Sequence, residues 1–234
     1  MHMPKGKTIV ITGAASGLGD AWTKGFLKDG AIVVAADIDE PGLAAVASLG
    51  ALTVRTDVSL ESDVKAMIDF AMSETGRIDV LFNNAGIGFM RPFLEVPTGE
   101  FERHIAIHLY GTVYGMRYAL PHMQAAGYGR IINTISRAAE ASGFRSAAYA
   151  SAKAAIFAAT RSVAKEFAEG DILINMIIPG PTNTAIWGRD MPQMQSAKVT
   201  YPTAKMLATL PAGGPRGKVF WDEKEYKLFK EIYD

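Results

Sequence analysis

Cysteine is absent from this 234-residue chain, which excludes disulfides and thiolate metal sites and leaves the redox compartment open. An excess of either charge is also missing. Lys plus Arg and Asp plus Glu each number 24, so no basic surplus exists to grip a nucleic-acid backbone or an anionic membrane. No apolar run reaches membrane-spanning length without a Gly, Pro or charged residue interrupting it. The opening Met1-His2-Met3-Pro4-Lys5-Gly6-Lys7 lacks the apolar core of a signal peptide, so a cytoplasmic location is expected. What is present is an ordinary globular composition, 49% hydrophobic and 21% charged, in a length that one α/β domain fills. A neutral, apolar-rich chain has little self-repulsion, which favours a homo-oligomer.

Short β-branched runs alternate with longer helical patterns. Strands are expected at Thr8–Thr12, Ala31–Ala36, Leu52–Arg55, Val80–Asn83, Arg130–Ile135, Ile172–Ile178 and Lys218–Trp221. Most are continuously apolar, as strands covered on both faces must be. Helices are expected at Gly17–Lys28, Glu40–Leu49, Leu60–Glu74, Glu100–Ala126 and Ala147–Ala168. This order predicts a single Rossmann-type domain over residues 1–234: a doubly wound, seven-stranded, mostly parallel sheet with helices on both faces. Residues 181–215, rich in Met, Pro and Gly, break the rhythm near the carboxyl ends of the strands, where ligands bind in such sheets. They are expected to form a substrate lid; the alternative is a structural connection.

The first strand runs into Thr12-Gly13-Ala14-Ala15-Ser16-Gly17-Leu18-Gly19 and then a helix. Glycines there let the backbone turn and approach a pyrophosphate, to which the helix start offers unpaired N–H groups. Asp37 ends the second strand, eighteen positions after Gly19, near the offset at which a carboxylate receives adenosine ribose hydroxyls. It would repel a 2′-phosphate, and no Lys or Arg lies between Gly13 and Gly19 to attract one, so NAD is expected rather than NADP. Asp37 as a mere helix cap is the alternative, although Asp39 is better placed for that role.

Tyr149-Ala150-Ser151-Ala152-Lys153 opens an alanine-rich helix. The i,i+4 spacing sets phenol and ammonium on one face. A free phenol titrates near ~10, too high for a base at neutral pH, and a nearby cation favours the phenolate.

With these motifs in order, the chain resembles the short-chain dehydrogenase/reductase family from Lys7 to about Thr184. The family's Thr-Gly-x-x-x-Gly-x-Gly turn is matched by Thr12–Gly19, and its Asn-Asn-Ala-Gly by Asn83-Asn84-Ala85-Gly86. Its serine, thirteen residues before the tyrosine, falls on Ser136, and its Pro-Gly turn on Pro179-Gly180. The resemblance implies an NAD-dependent oxidoreductase interconverting an alcohol, expected to be secondary, and a carbonyl. Tyr149 would be the general acid/base, Ser136 would hold the substrate oxygen, and Lys153 would bind the nicotinamide ribose and lower the Tyr149 pKa. Gly13, Ser16, Gly17, Leu18, Gly19, Asp37, Asp57, Val58, Asn84, Ala85, Gly86, Pro179, Gly180, Thr182 and Thr184 would line the cofactor cleft with Tyr149 and Lys153. Asp57 is expected at the adenine and Thr184 at the carboxamide. A small-molecule alcohol or ketone is the expected partner, and the assembly a homodimer or homotetramer.

Two departures stand out. Where the family carries an Asn that holds a relay water, this chain has His108, expected to substitute for it and to add pH sensitivity. The alternative is an NAD-binding protein of the same fold with reduced or lost catalysis. Glu100, His104 and His108 share a helical stripe with ligand chemistry, but nothing else points to a metal and none is expected. A lyase or dehalogenase would usually lack the Gly-rich turn or Asp37, and enoyl reductases space Tyr and Lys more widely. The second departure is the C-terminus: the family commonly ends Val-Asp-Gly-Gly, whereas here Gly217–Asp222 leads into a charged, aromatic tail, which puts tetramer contacts in doubt. Arg137 and Arg145 near the catalytic strand would suit an acidic substrate, or pair with Glu140. Trp187, Met191 and Met194 would suit an apolar one.

Overall fold

Alternate residues of the first strand face opposite layers, and this one fact organises the molecule. In β1 (Thr8–Thr12), Ile9 and Ile11 enter one core with Trp22 and Phe26, while Val10 enters another with Val64, Met67 and Ile68. Both faces are dry, which is why the strand sequences show no polar alternation. The computed structural model describes residues 4–88, 90–141, 144–188 and 190–229.

The chain is α/β. Strands β1, β2 (Ile32–Asp37), β3 (Leu52–Arg55), β4 (Val80–Asn83), β5 (Gly129–Thr134) and β6 (Ile172–Ile177) alternate with helices α1 (Gly17–Lys28), α2 (Glu40–Ala47), α3 (Glu61–Thr75), α4 (Glu100–His104), α5 (Gly111–Ala126), α6 (Ala138–Ala141) and α7 (Ala147–Glu166). Then come β7 (Thr182–Asn183), β8 (Gln195–Ser196), α8 (Tyr201–Ala208), β9 (Val219–Trp221) and β10 (Lys224–Glu225). The main sheet runs β3-β2-β1-β4-β5-β6-β9-β10, parallel except for β10, which pairs antiparallel with β9. The order reverses between β1 and β4, opening a crevice at their carboxyl ends.

Among the described residues the sheet therefore has eight strands, one more than the sequence predicts. The extra strand hangs on a two-residue turn, Asp222-Glu223, with φ of 48° and 60°. A hairpin of this kind usually announces itself by Asn-Gly, and that signal is missing. Two further differences are local. Residues 181–215 are not all connection: α8 buries Ala204, Leu207 and Ala208 against Ile9, Phe82 and Ile177. The long helix predicted at Glu100–Ala126 contains a π-helical segment, Ile105–Tyr110. Such segments often mark functional sites, and this one carries His108.

Candidate active site

The Gly-rich turn is folded tightly against β4. Gly13 has φ of +65°, and a side chain there would meet the Ala85 Cα at 2.8 Å; one on Gly19 would meet the Gly13 carbonyl oxygen at 1.9 Å. The Thr12 hydroxyl accepts from the amides of Asn84 (3.0 Å) and Ala85 (3.1 Å). The Asn84 side chain returns a bond to the Thr12 carbonyl at 3.0 Å. Asn84, Ala85 and Gly13 thus form one wall. Ser16 stands at the cap position of α1, ahead of Gly17 and Leu18. Asp37 reaches back to this turn: its Oδ2 accepts from the Ala15 amide at 2.9 Å and its Oδ1 from the Ile38 amide at 2.7 Å. Asp39 caps α2 without a side-chain bond.

Other cleft positions are spread around the same crevice. The Asp57 carboxylate is engaged by the Ser59 amide (2.9 Å) and hydroxyl (2.6 Å), and Val58 packs on Gly111. Thr184 lies against Gly17. Thr182 donates to the Gly180 carbonyl (3.2 Å) and lies 3.3 Å from that of Pro179. Gln195, which the sequence does not single out, braces the same turn by donating to the Pro179 carbonyl at 2.6 Å. Beyond Thr184 a short helical turn, Ala185–Trp187, sits over the crevice, where Ile186 is seated on Gly88.

Ser136, Tyr149, Lys153 and His108 converge from three elements. Ser136 follows β5 and shares a hydrogen bond with the Tyr149 phenol in the first turn of α7. One turn on, Lys153 is 3% exposed; its Nζ donates to the Thr134 carbonyl at 2.8 Å and lies 5.5 Å from the Tyr149 ring centre. Ala148 and Ala152 are buried beside them, so α7 approaches the sheet closely and leaves Lys153 dry and Tyr149 half-buried. Burial pushes the Tyr149 phenol up, and the bond to Ser136 pulls it back. Burial pushes Lys153 down to about 7. Desolvation disfavours the charged form of both groups, so the chain alone does not make a phenolate. A fixed positive charge in the cleft, such as an oxidised nicotinamide, would reverse that balance.

His108 joins the group. Its ring is 1% exposed and meets the Tyr149 ring edge-on, with centres 5.3 Å apart. Its Nε2 lies 2.8 Å from the Ile87 carbonyl oxygen and 3.2 Å from the Ile87 amide nitrogen, and the ring fills the space beside Gly86. Burial first, then the charges of Lys153 and His104, hold its pKa well below 6.5, against the opposing bond to Ile87. The expected pH sensitivity in the working range therefore meets an imidazole that stays neutral there. His104 stacks on it at 5.6 Å and contacts Glu100.

Around the mouth, Arg137 is exposed, stands 4.0 Å from Glu140 and lies over Trp221. Arg145, at φ of 63°, lies over Phe144. No helix among the described residues is long and apolar enough to cross a membrane.

Comparison with known proteins finds relatives over most of the chain. Residues 7–195 match the family model described as short chain dehydrogenase. Momilactone A synthase of Oryza sativa is 40% identical over 187 residues, covering 77% of this chain and 68% of that protein. The 3beta-hydroxysteroid dehydrogenase 2 of Eggerthella lenta is 38% identical, covering 77% and 73%. Cis-4-hydroxycyclohexanecarboxylate dehydrogenase of Sinomonas cyclohexanicum is also 38% identical, covering 77% and 75%. Among solved structures, a 3-ketoacyl-(acyl-carrier-protein) reductase from Brucella melitensis complexed with NADH superposes with a TM-score of 0.86. It is 28% identical and covers 93% of this chain and 96% of its own.

Proposed function

The chain belongs to the short-chain dehydrogenase family and is an oxidoreductase of alcohols and carbonyls; from that premise we propose that it uses NAD and oxidises a cyclic, largely apolar secondary alcohol or reduces the matching ketone. The observation that carries this reading is the convergence of Ser136, Tyr149 and Lys153 at the mouth of a crevice whose far end is marked by Asp37. Side chains at Gly13 or Gly19 would collide with the Ala85 or Gly13 backbone, so only glycine permits the tight turn that brings this backbone to a pyrophosphate.

Bound NAD supplies the hydride acceptor. Asp37 takes the adenosine ribose hydroxyls, and its charge disfavours a 2′-phosphate. Val58 offers an apolar surface to the adenine, with Asp57 beside it fixing the loop through Ser59. Asn84, Ala85 and Gly86 form one wall, and Pro179, Gly180, Thr182 and Thr184 the other, with Thr184 positioned for the carboxamide. Ser136 holds the substrate oxygen, and Tyr149 removes its proton during oxidation or returns it during reduction. Lys153 binds the nicotinamide ribose and, charged, favours the phenolate. His108 stays neutral and holds the Ile87 backbone beside Tyr149.

Trp187, exposed in the turn beyond Thr184, suits an apolar ring, and the relatives named for a hydroxysteroid and a hydroxycyclohexanecarboxylate support a cyclic alcohol. Arg137 is drawn toward Glu140 and Trp221, which weakens the case for an acidic substrate. Of the expected lid at 181–215, we keep that role for the Ala185–Trp187 turn and assign α8 to the core. The outward stripe of α7, with Ala147, Ala150 and Ala154, borders a recess of about 710 Å³ with Phe93 and Phe144 and is the face we assign to a second subunit. A dinucleotide-binding protein without catalysis gains no support from a site in which all three proton-handling groups meet.

The test is turnover with NAD and, separately, NADP over a panel of cyclic secondary alcohols and hydroxy acids, with Tyr149→Phe as control. Reduction of NAD by cyclic alcohols, lost in the control, is expected. Turnover confined to NADP would overturn the role given to Asp37.

A further inference from the structure

The family resemblance ends before the C-terminal tail, yet that tail returns to the catalytic strand end. After the β9–β10 hairpin, the Tyr226 amide donates to the Val219 carbonyl at 2.8 Å. The Tyr226 hydroxyl donates to Oε1 of Glu140, and the Phe229 amide donates to Oε2 of the same carboxylate at 2.8 Å. Phe229 has φ of 59°, a left-handed conformation unfavourable for an aromatic residue, and its bond to Glu140 helps to hold it there. Leu228 is buried in one cluster with Ile135, Ala139 and Ile156, and the Phe229 ring packs on Phe157 with centres 5.2 Å apart.

Glu140 belongs to α6, which begins two residues after Ser136. The Ala138 amide donates to the Ser136 hydroxyl oxygen at 3.1 Å, and the Ala139 amide to the Ser136 carbonyl at 3.0 Å. Four residues from Ser136, two charge-assisted bonds thus tie this turn to a segment almost ninety positions away. At its other end the tail backs the cofactor side of the cleft, where the Trp221 indole lies against Gly180.

We propose that residues 226–229 are a strap on the catalytic serine: by holding Glu140 they fix the 136–141 turn, and with it the Ser136 hydroxyl against Tyr149. Glu140 and Tyr226 are positioning residues, since neither touches the reacting atoms. The inference rests on the reading of Ser136 and Tyr149 as the proton-handling pair. A loosened Ser136 gives up its bond to the phenol, and that bond is what offsets the upward push of burial on Tyr149. Weakening the strap should therefore raise the pH at which Tyr149 becomes a base.

The experiment is the pH profile of alcohol oxidation for the full chain, Glu140→Gln, Tyr226→Phe and Tyr149→Phe, with NADH affinity and melting temperature measured alongside. The strap predicts that Glu140→Gln lowers kcat roughly tenfold and moves the acid limb to higher pH. Tyr226→Phe should do the same to a smaller extent, because the Phe229 bond remains. NADH affinity should stay near wild type, and the melting temperature should fall by only a few degrees, leaving the protein folded at the assay temperature. Unchanged kcat with an unmoved limb overturns the inference. So does a loss of activity that leaves the limb in place, because that is a merely structural role. Turnover surviving in Tyr149→Phe would instead remove the underlying catalytic reading, and the strap with it.

Discussion

A single nitrogen of His108, Nε2, faces both the carbonyl oxygen and the amide nitrogen of Ile87, at 2.8 and 3.2 Å. One ring nitrogen cannot donate to the first and accept from the second at once, so each tautomer leaves one Ile87 group without this partner. An asparagine side chain carries a donor and an acceptor and can serve both. The histidine is therefore a serviceable replacement that costs a bond and adds a buried titratable ring.

That ring gives a signed prediction. Its folded pKa lies below the unfolded value of about 6.5, so below that pH the unfolded chain takes up a proton that the native chain refuses. Stability should fall as pH drops through 6.5, by up to about 1.4 kcal/mol per unit from this group. His108→Asn should flatten that slope while leaving the pH–rate profile above 6.5 unchanged. Urea unfolding at several pH values checks the first part, and initial rates check the second.

Lys153 predicts a dependence of the same sign at higher pH, because burial lowers its folded pKa as well. Held at about 7 in the fold and near ~10.4 in the unfolded chain, it carries its full burial penalty below pH 7. That penalty is relieved as pH rises from 7 toward 10. Lys153→Met should stabilise the protein in the absence of NAD by roughly 2 to 4 kcal/mol at pH 6, with the gain shrinking at higher pH, while turnover is lost. Thermal melts across pH decide it.

Much of this architecture is local and hence readable in the chain. Continuous apolar runs mark strands dry on both faces, and Gly13–Gly19 and Tyr149–Lys153 lie within single turns. What escaped sequence reading depends on distance or on rule-breaking backbone. The turn that adds β10 is built from Asp222 and Glu223 instead of Asn-Gly. The π-helical segment at Ile105–Tyr110 has no period of its own. Tyr201–Ala208 lies inside a Pro- and Met-rich stretch, and only its burial shows it to be core. The contacts of Glu140 with Tyr226 and Phe229 join segments that nothing in the local pattern connects, and the partner of Lys153, the Thr134 carbonyl, is backbone.

The hairpin turn offers a stability test. Asp222 and Glu223 both occupy the left-handed region, which costs non-glycine residues about 1 kcal/mol each. The Glu223 amide recovers part through the Thr203 hydroxyl at 3.0 Å. Glu223→Gly keeps that amide and removes the strain. It should raise stability by about 0.5 to 1 kcal/mol, seen as a higher urea midpoint with unchanged slope.

The lid is tested at Gly88. A methyl group there would come within 2.1 Å of the Ile186 carbonyl oxygen, so Gly88→Ala should unseat the Ala185–Trp187 turn. KM for the alcohol should rise several-fold, with NADH affinity and melting temperature little changed. An unaltered KM would show that this turn does not help to close the substrate site.

The central claim is that this site moves a hydride between a secondary alcohol and the nicotinamide ring, and labelling tests it most directly. The protein is incubated with NAD and a cyclic alcohol deuterated at the carbinol carbon, and the reduced cofactor is analysed by mass spectrometry. The account predicts one deuterium on the nicotinamide, none with Tyr149→Phe, and the matching ketone as product. Ketone formed without deuterium in the cofactor, or unchanged transfer in Tyr149→Phe, would contradict it.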